Sequence, residues 1–216
     1  MTQTLSKTRM TETGEVVIKQ DQEELPMKTA RENSNFGSMF DLMTQTLYSK
    51  RTFANEPEAT HAVRCALRIR ELKLDDTILV AMLCHKLIRH TPKPHLQVMM
   101  ELAQSTNYEL AKLVEGSSFI PQAEAPAEYL DKLHHFVGID WRILAIIATD
   151  WEDQLIVIRS GKTYRQSSEI KLMKEILPLI EQDWQYWRDY IPTDQQPKLD
   201  ELWNNVFLLL NKGEII

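Results

Sequence analysis

The sequence predicts an all-α protein of about eight to ten helices at ordinary helix lengths. Three observations carry this. Apolar residues recur at helical spacing along most of the chain. Valine and isoleucine never fall into alternating runs between turn signals. Only six glycines occur in 216 residues, which argues against a strand-rich fold with many tight turns. Hydrophobic residues make up 43% of the chain, enough for most of it to fold around a core of its own.

The first segment departs from that pattern. Residues 1–35 are rich in Thr, Gln, Glu and Lys and cannot bury enough surface to offset their ordering entropy, so a flexible tail is expected there. A single domain is expected over residues 36–216. It opens with "FGSMFDLMTQTLYSKRTF" (36–53), where Phe36, Met39, Phe40, Leu42, Met43 and Leu47 have helical spacing. "ANEPEA" breaks it. In "ATHAVRCALRIRELKL" (59–74), Ala62, Cys65, Ala66, Ile69 and Leu72 form one face. "DDTILVAMLCHKLIRH" (75–90) begins on Asp75 and Asp76 and is apolar almost all round, the mark of a central helix. "PHLQVMMELAQ" is a short helix after Pro92 and Pro94, and "NYELAKLVEGSSFI" is an amphipathic one expected to stop at Gly116.

The second half continues in kind. "APAEYLDKLHHFVG" predicts a helix ending at Gly138, and "DWRILAIIATDWEDQLIVIRSG" (140–161) a long apolar one ending at Gly161. "SSEIKLMKEILPLIEQDWQYWRDYI" carries Pro178, a candidate kink. "QPKLDELWNNVFLLLNK" follows as a last helix, expected to pack back on its own domain. The tryptophans at 141, 151, 184, 187 and 203 are read as packing residues.

Composition narrows the function. The formal net charge is −6, which disfavours a broad nucleic-acid or acidic-membrane surface but leaves room for a local basic pocket. Cys65 and Cys84 both sit in apolar helical patterns and read as reduced core residues. No apolar run reaches the ~18–20 residues of a membrane-spanning helix, and the first residues have no hydrophobic signal segment. The chain therefore reads as soluble and cytoplasmic.

Common phosphate-loop, dinucleotide, zinc-protease and nucleophile-elbow motifs are absent. What remains is His61 early in one apolar helix, His85 late in another, and Asp150 inside the run "ILAIIATDW". A carboxylate in such a run must be solvated, paired or ligating, because burying it bare is very costly. Near His85 stand Lys86, Arg89 and His90.

Taken in order, these segments resemble the (p)ppGpp hydrolase domain of RelA/SpoT proteins, an HD-type metal-dependent phosphohydrolase, from about residue 38 to about 180. "NEPEATHAVRCALRI" is similar to that family's "SGEPYIxHPxxVAxIL", with Glu56, Pro57 and His61 in place. "LKLDDTILVAMLCHKLIRHT" is similar to "LxxDxxTLxAALLHDxxEDT", with Leu72, Asp75 or Asp76, His85 and Thr91 matching. "YELAKLVEGSSFI" is similar to "xEVAxLVxGVTKL". "YLDKLHHFVGIDWRILAIIATDWEDQL" is similar to "YRKMLLAMxxDxRVxLIKLADRLHNMR", with Asp140, Arg142 and Asp150 matching.

The resemblance implies an HD-domain-like helix bundle. It also implies a divalent metal, typically manganese, held by His61, His85, position 86 and Asp150, which would activate a water for attack on phosphorus. Position 86, however, is Lys. A charged ammonium has no lone pair and cannot ligate. Arg89 and His90 replace the family's Glu-Asp pair. Asp→Lys adds two charges, Glu→Arg two and Asp→His one, so the pocket is about five charge units more positive, which disfavours a divalent cation. The late "ADRLHNMR" reads "TDWEDQL", and the guanine-side "RKSG" reads "TFAN" (52–55), with Arg51 out of register by one.

The expectation is therefore a non-catalytic binding or regulatory module without a metal cofactor, in which the Lys86 ammonium pairs with Asp150 beside His61 and His85. Lys86, Arg89, His90 and Arg51 are the candidate contacts for a phosphate ligand such as a guanine nucleotide. A protein partner is the other candidate. The alternative is an active phosphohydrolase of the (p)ppGpp 3′-pyrophosphohydrolase type with altered ligation, in which His61, His85 and Asp150 hold manganese, with His90 as a candidate fourth ligand.

Overall fold

A computed structural model describes residues 34–52, 55–120, 125–160 and 168–211. The expected tail at 1–35 falls almost wholly outside these. The described residues are helical throughout, with one isolated bridge between Arg51 and Pro57. In chain order the helices are α1 (Ser34–Leu47), α2 (Glu58–Glu71), α3 (Asp76–Cys84), α4 (Leu87–His90), α5 (His95–Ser105), α6 (Tyr108–Phe119), α7 (Pro126–Ile139), α8 (Arg142–Arg159), α9 (Ser168–Gln182), α10 (Trp184–Arg188) and α11 (Gln196–Asn211). The all-α bundle read from the sequence is the observed class.

The first helix is shorter than its pattern. Apolar spacing suggested a run to residue 53, but α1 ends at Leu47, after burying Met39, Met43 and Leu47. The loop beyond it is held to the start of α2: Glu58 N–H donates to Lys50 O at 3.0 Å and Thr52 N–H to Glu56 O at 2.9 Å. On α2 the predicted face (Ala62, Cys65, Ala66, Ile69) is fully inside. Cys65 and Cys84 are both free and buried; burial pushes the Cys84 thiol up to about 12.

The central segment 75–90 is not one helix. Asp75 caps its start as expected, accepting Ile78 N–H at 3.0 Å. At the other end α3 stops at Cys84, and Lys86 takes φ −102°, ψ 0° before α4 begins. The break frees the His85 carbonyl, which accepts the Ser118 hydroxyl at 2.5 Å from α6. It also lets the adjacent His85 and Lys86 side chains reach one carboxylate, which adjacent residues of a continuous helix, about 100° apart, do poorly. Before the break, Ile78, Ala81, Met82, Leu83 and Cys84 are buried against α1, α2, α6 and α8.

Gly116 does not end α6, which runs on to Phe119. A Cβ at Gly116 would lie 2.6 Å from Ile143 Cδ1 and 3.0 Å from Phe136 Cδ1, so the glycine is there to let α6 approach α7 and α8. Gly138 lies one residue inside the end of α7, and Gly161 lies outside the described residues. Asn107 caps α6 at Leu110 N–H, 2.7 Å. Arg142 binds Asp140 and Glu109 together, which pins the start of α8 to the start of α6.

The longest helix is also the most enclosed: α8 buries every residue from Ile143 to Glu152. On one side lie α2 and α3, on the other α11. Leu199, Leu202, Trp203, Val206 and Phe207 of α11 are all buried, so the last helix packs back on its own bundle. Trp151, Trp184, Trp203 and Phe207 meet ring to ring there, at centroid distances of 5.5–6.4 Å. No helix among the described residues is long and apolar enough to cross a membrane.

Candidate functional site: a carboxylate held by four nitrogens

The packing of α2, the α3–α4 break and α8 brings His61, His85, Lys86 and Asp150 together, although Asp150 is 89 residues from His61 in sequence. All four are at least nine-tenths buried. They converge on a single atom, Asp150 Oδ1. His61 Nε2 is 2.7 Å from it, Gln154 Nε2 2.9 Å, Lys86 Nζ 3.1 Å and His85 Nε2 3.4 Å.

The protonation of each group follows from its partners. His61 has a carboxylate at both ring nitrogens, Asp150 at Nε2 and Asp153 at Nδ1, each 2.7 Å away. Neither carboxylate can donate, so both nitrogens must, and the ring is an imidazolium. Burial opposes that charge, but the Asp150 and Asp153 carboxylates outweigh it and hold His61 well above the usual histidine range. His85 is the opposite case. Its Nδ1 donates to the Met82 carbonyl at 2.6 Å, and burial holds the ring below the usual range against the pull of Asp150. A neutral ring with its hydrogen on Nδ1 presents a bare lone pair at Nε2, which has no hydrogen bond among the described residues. Burial would raise Asp150, yet the Lys86 ammonium and the His61 imidazolium keep it well below the usual carboxylate range.

The charges continue outward in alternation. Arg64 grips Asp153 through Nε (2.8 Å) and Nη2 (2.7 Å), and Glu56 through Nη1 (2.7 Å) and Nη2 (2.5 Å). On the other flank, Glu58 lies 3.5 Å from His90 Nε2. Burial alone would raise Glu58, but His90, Lys86 and His61 lower it to about 2. The order His90, Glu58, Lys86, Asp150, His61, Asp153, Arg64, Glu56 thus runs through the site as one row of groups in which acids and bases alternate. A small solvent-open cleft, with a free volume of about 20 Å³, overlies it, lined by Thr52, Glu56, Glu58, His61, Lys86, Asp153, Gln154 and Val157.

The candidate residues fare differently. His61, His85, Lys86 and Asp150 meet as expected. Of the proposed phosphate contacts, Lys86 alone lines this cleft. Arg89 is exposed on α4, Arg51 is exposed beside Pro57, and His90 faces the carboxylate of Glu58. Sequence reasoning missed Glu58, Arg64, Asp153 and Gln154. A signal for three of them was present. Asp153 and Gln154 stand three and four residues after Asp150, and Arg64 three after His61, so each shares a helix face with a residue already singled out.

The donor atoms of His61, His85 and Asp150 lie within 4.8 Å of one another, near enough to share an ion. The chemistry around them does not fit a divalent metal. His61 uses both nitrogens as donors, Asp150 Oδ1 already receives Lys86, and Lys86 offers no lone pair. His85 Nε2 is the one ring nitrogen of the pair still able to ligate. An incoming dication would also face two buried cations, and like charges at such distances repel by several kcal/mol even at an effective dielectric constant of about 20.

No family model matches the chain. Among curated proteins it is 20% identical, over 170 residues, to a guanosine-3′,5′-bis(diphosphate) 3′-pyrophosphohydrolase of Aquifex aeolicus (strain VF5). The likeness to that hydrolase is distant. It covers 79% of this chain but 24% of the relative, so the chain spans about a quarter of the protein it matches. The site residues from His61 to Asp150 fall within a stretch of that order, and the all-helical fold agrees with an HD-type relationship.

Proposed function

We propose that the chain is a non-catalytic binding or regulatory module on a scaffold like that of the (p)ppGpp hydrolases, with an ion pair where those enzymes hold their metal. The observation that carries this reading is the Lys86 Nζ to Asp150 Oδ1 contact of 3.1 Å. An ammonium there supplies the positive charge that the buried carboxylate needs, but it cannot lower the pKa of a bound water as a metal ion does.

One observation favours a second reading, an active phosphohydrolase with altered ligation. The His85 Nε2 lone pair is buried and without a hydrogen bond among the described residues, as a nitrogen awaiting a metal would be. His61, His85 and Asp150 would hold the ion in that case, and Lys86 would have to leave Asp150.

A phosphate or nucleotide ligand at Lys86, Arg89, His90 and Arg51 has less support from the geometry. The cleft wall carries Glu56, Glu58 and Asp153, and its cations are engaged by them and by Asp150.

The experiment is direct: metal analysis of the purified protein, followed by assays of (p)ppGpp and generic phosphodiester hydrolysis with added manganese. The proposal expects no stoichiometric metal and no turnover. Bound metal at one per chain, with turnover abolished by His61→Ala, would establish the second reading instead.

A further inference from the structure

Glu58 has one oxygen that nothing in the site serves. Its Oε1 faces His90 at 3.5 Å, but Oε2 is buried and has no hydrogen-bond partner among the described residues. The residue is 6% exposed and lines the cleft. Its neighbours keep it ionised at any physiological pH. A buried anionic oxygen without a donor is costly, and native proteins leave few such atoms unserved.

The rest of the cleft offers acceptors. Glu56 and Asp153 line it, with the Gln154 amide, one of whose two N–H groups is spent on Asp150. The cations beside them are committed: Arg64 to Glu56 and Asp153, His61 to Asp150 and Asp153, Lys86 to Asp150. Four carboxylates (Glu56, Glu58, Asp150 and Asp153) lie in or beside the cleft, and none of the cations there hydrogen-bonds Glu58 Oε2. An anion entering here would meet carboxylates. A positively charged donor would meet an oxygen that lacks one.

We propose that this cleft binds a small cationic donor group, a guanidinium or primary ammonium, anchored on Glu58 Oε2. The proposal rests on the metal-free reading of the site and gives that reading its ligand class. The cleft has a free volume of about 20 Å³, room for about one water-sized group and far below that of pockets for drug-sized ligands. It suits the head of a side chain or a small amine.

The test is an NMR titration of the full-length chain with methylguanidinium, methylammonium and inorganic phosphate, following the Thr52, Glu58 and Val157 amides. Saturable shifts with either cation and none with phosphate are expected. Glu58→Gln should weaken the binding about tenfold, the scale of a charge-assisted hydrogen bond. Val157→Trp, which fills the cleft without altering its charge, should abolish it, and a native-like spectrum of either variant shows that the fold is kept. Shifts with phosphate instead overturn the proposal, as does silence with both cations, which would leave the oxygen to water. Undiminished binding in the Glu58 variant overturns it too. Stoichiometric manganese binding would instead bring down the metal-free reading, a separate failure. A Gly-Arg-Gly peptide and spermidine then distinguish the source. Preference for the peptide assigns the group to a protein partner and preference for spermidine to a free polyamine, and either upholds the class.

Discussion

Lys86 Nζ stands 3.1 Å from Asp150 Oδ1, both side chains nine-tenths or more buried. The pair takes two charges out of water, and their attraction offsets that cost only while both are present. Lys86→Met should therefore destabilise the fold by about 3 kcal/mol, the low end for breaking a buried pair, because His61 still shares the carboxylate. Urea unfolding of the variant measures this. An unchanged midpoint would make the pair incidental.

The reverse exchange tests what the remaining residues are for. Lys86→Asp removes the ammonium and adds a carboxylate beside His61, His85 and Asp150. It also lets the lone pair of His85 Nε2 find a cation. The variant is expected to take up about one manganese or zinc ion per chain and to gain about 2.7 kcal/mol at a metal concentration of one hundred times Kd, while the native chain gains nothing. Metal analysis together with melting curves reads both. A folded variant that remains metal-free would show that the three residues no longer form a ligand set.

Much of this arrangement was legible in the sequence, and the limits of legibility are physical. Asp150 announced itself because a carboxylate in "ILAIIATDW" must have a partner, and the all-helical class followed from apolar spacing. Lys86 could be read as its partner through the resemblance to the (p)ppGpp hydrolases, which implies that position 86 and Asp150 share one metal site. Helical spacing could not reveal the break at Lys86, since "DDTILVAMLCHKLIRH" is apolar enough to continue. The break goes with a tertiary contact, the Ser118 hydroxyl donating to the His85 carbonyl from 33 residues away. Gly116 misled for a related reason. A glycine near the end of a helical pattern reads as a stop, whereas here it makes room for Ile143 and Phe136 of later helices. Glu58 was hidden by tertiary pairing: its partner His90 lies on another helix, and no local rule joins them.

The alternating row of charges sets a dependence on pH. Glu58 falls from its ordinary 4.5 to about 2 in the folded chain, and Asp150 and Asp153 are lowered as well. A depressed carboxylate contributes stability that is present above its unfolded pKa and is lost as pH falls through the folded one. His61 is raised above 6.5, so its contribution is complete below 6.5 and is lost as pH rises through its folded value. Stability should decline between about pH 4.5 and pH 2 on the acid side, and again above neutrality. Urea midpoints across pH check this. Glu58→Gln should flatten the acid limb, and the same slope in the variant would remove Glu58 from the account.

Gly116 carries a prediction independent of the charges. Its missing side chain brings α6 against Ile143 and Phe136, and Ile143 is 1% exposed, so its Cδ1 can give way only within the core. Gly116→Ala would recover about 1 kcal/mol of helix propensity, which would mask part of the steric cost. Gly116→Val recovers less, because its branched side chain is stiff in a helix, and it adds two methyl groups to a filled interface. A loss of about 2–3 kcal/mol is expected, in the range of overpacked cores. Because α6 also supplies Ser118 to the His85 carbonyl, displacing it should disturb the Lys86 turn, visible as shifts of the Lys86 and Leu87 amides. A variant as stable as the native chain, with those resonances unmoved, would mean that Ile143 repacks freely and that the approach of α6 to α8 is not tight.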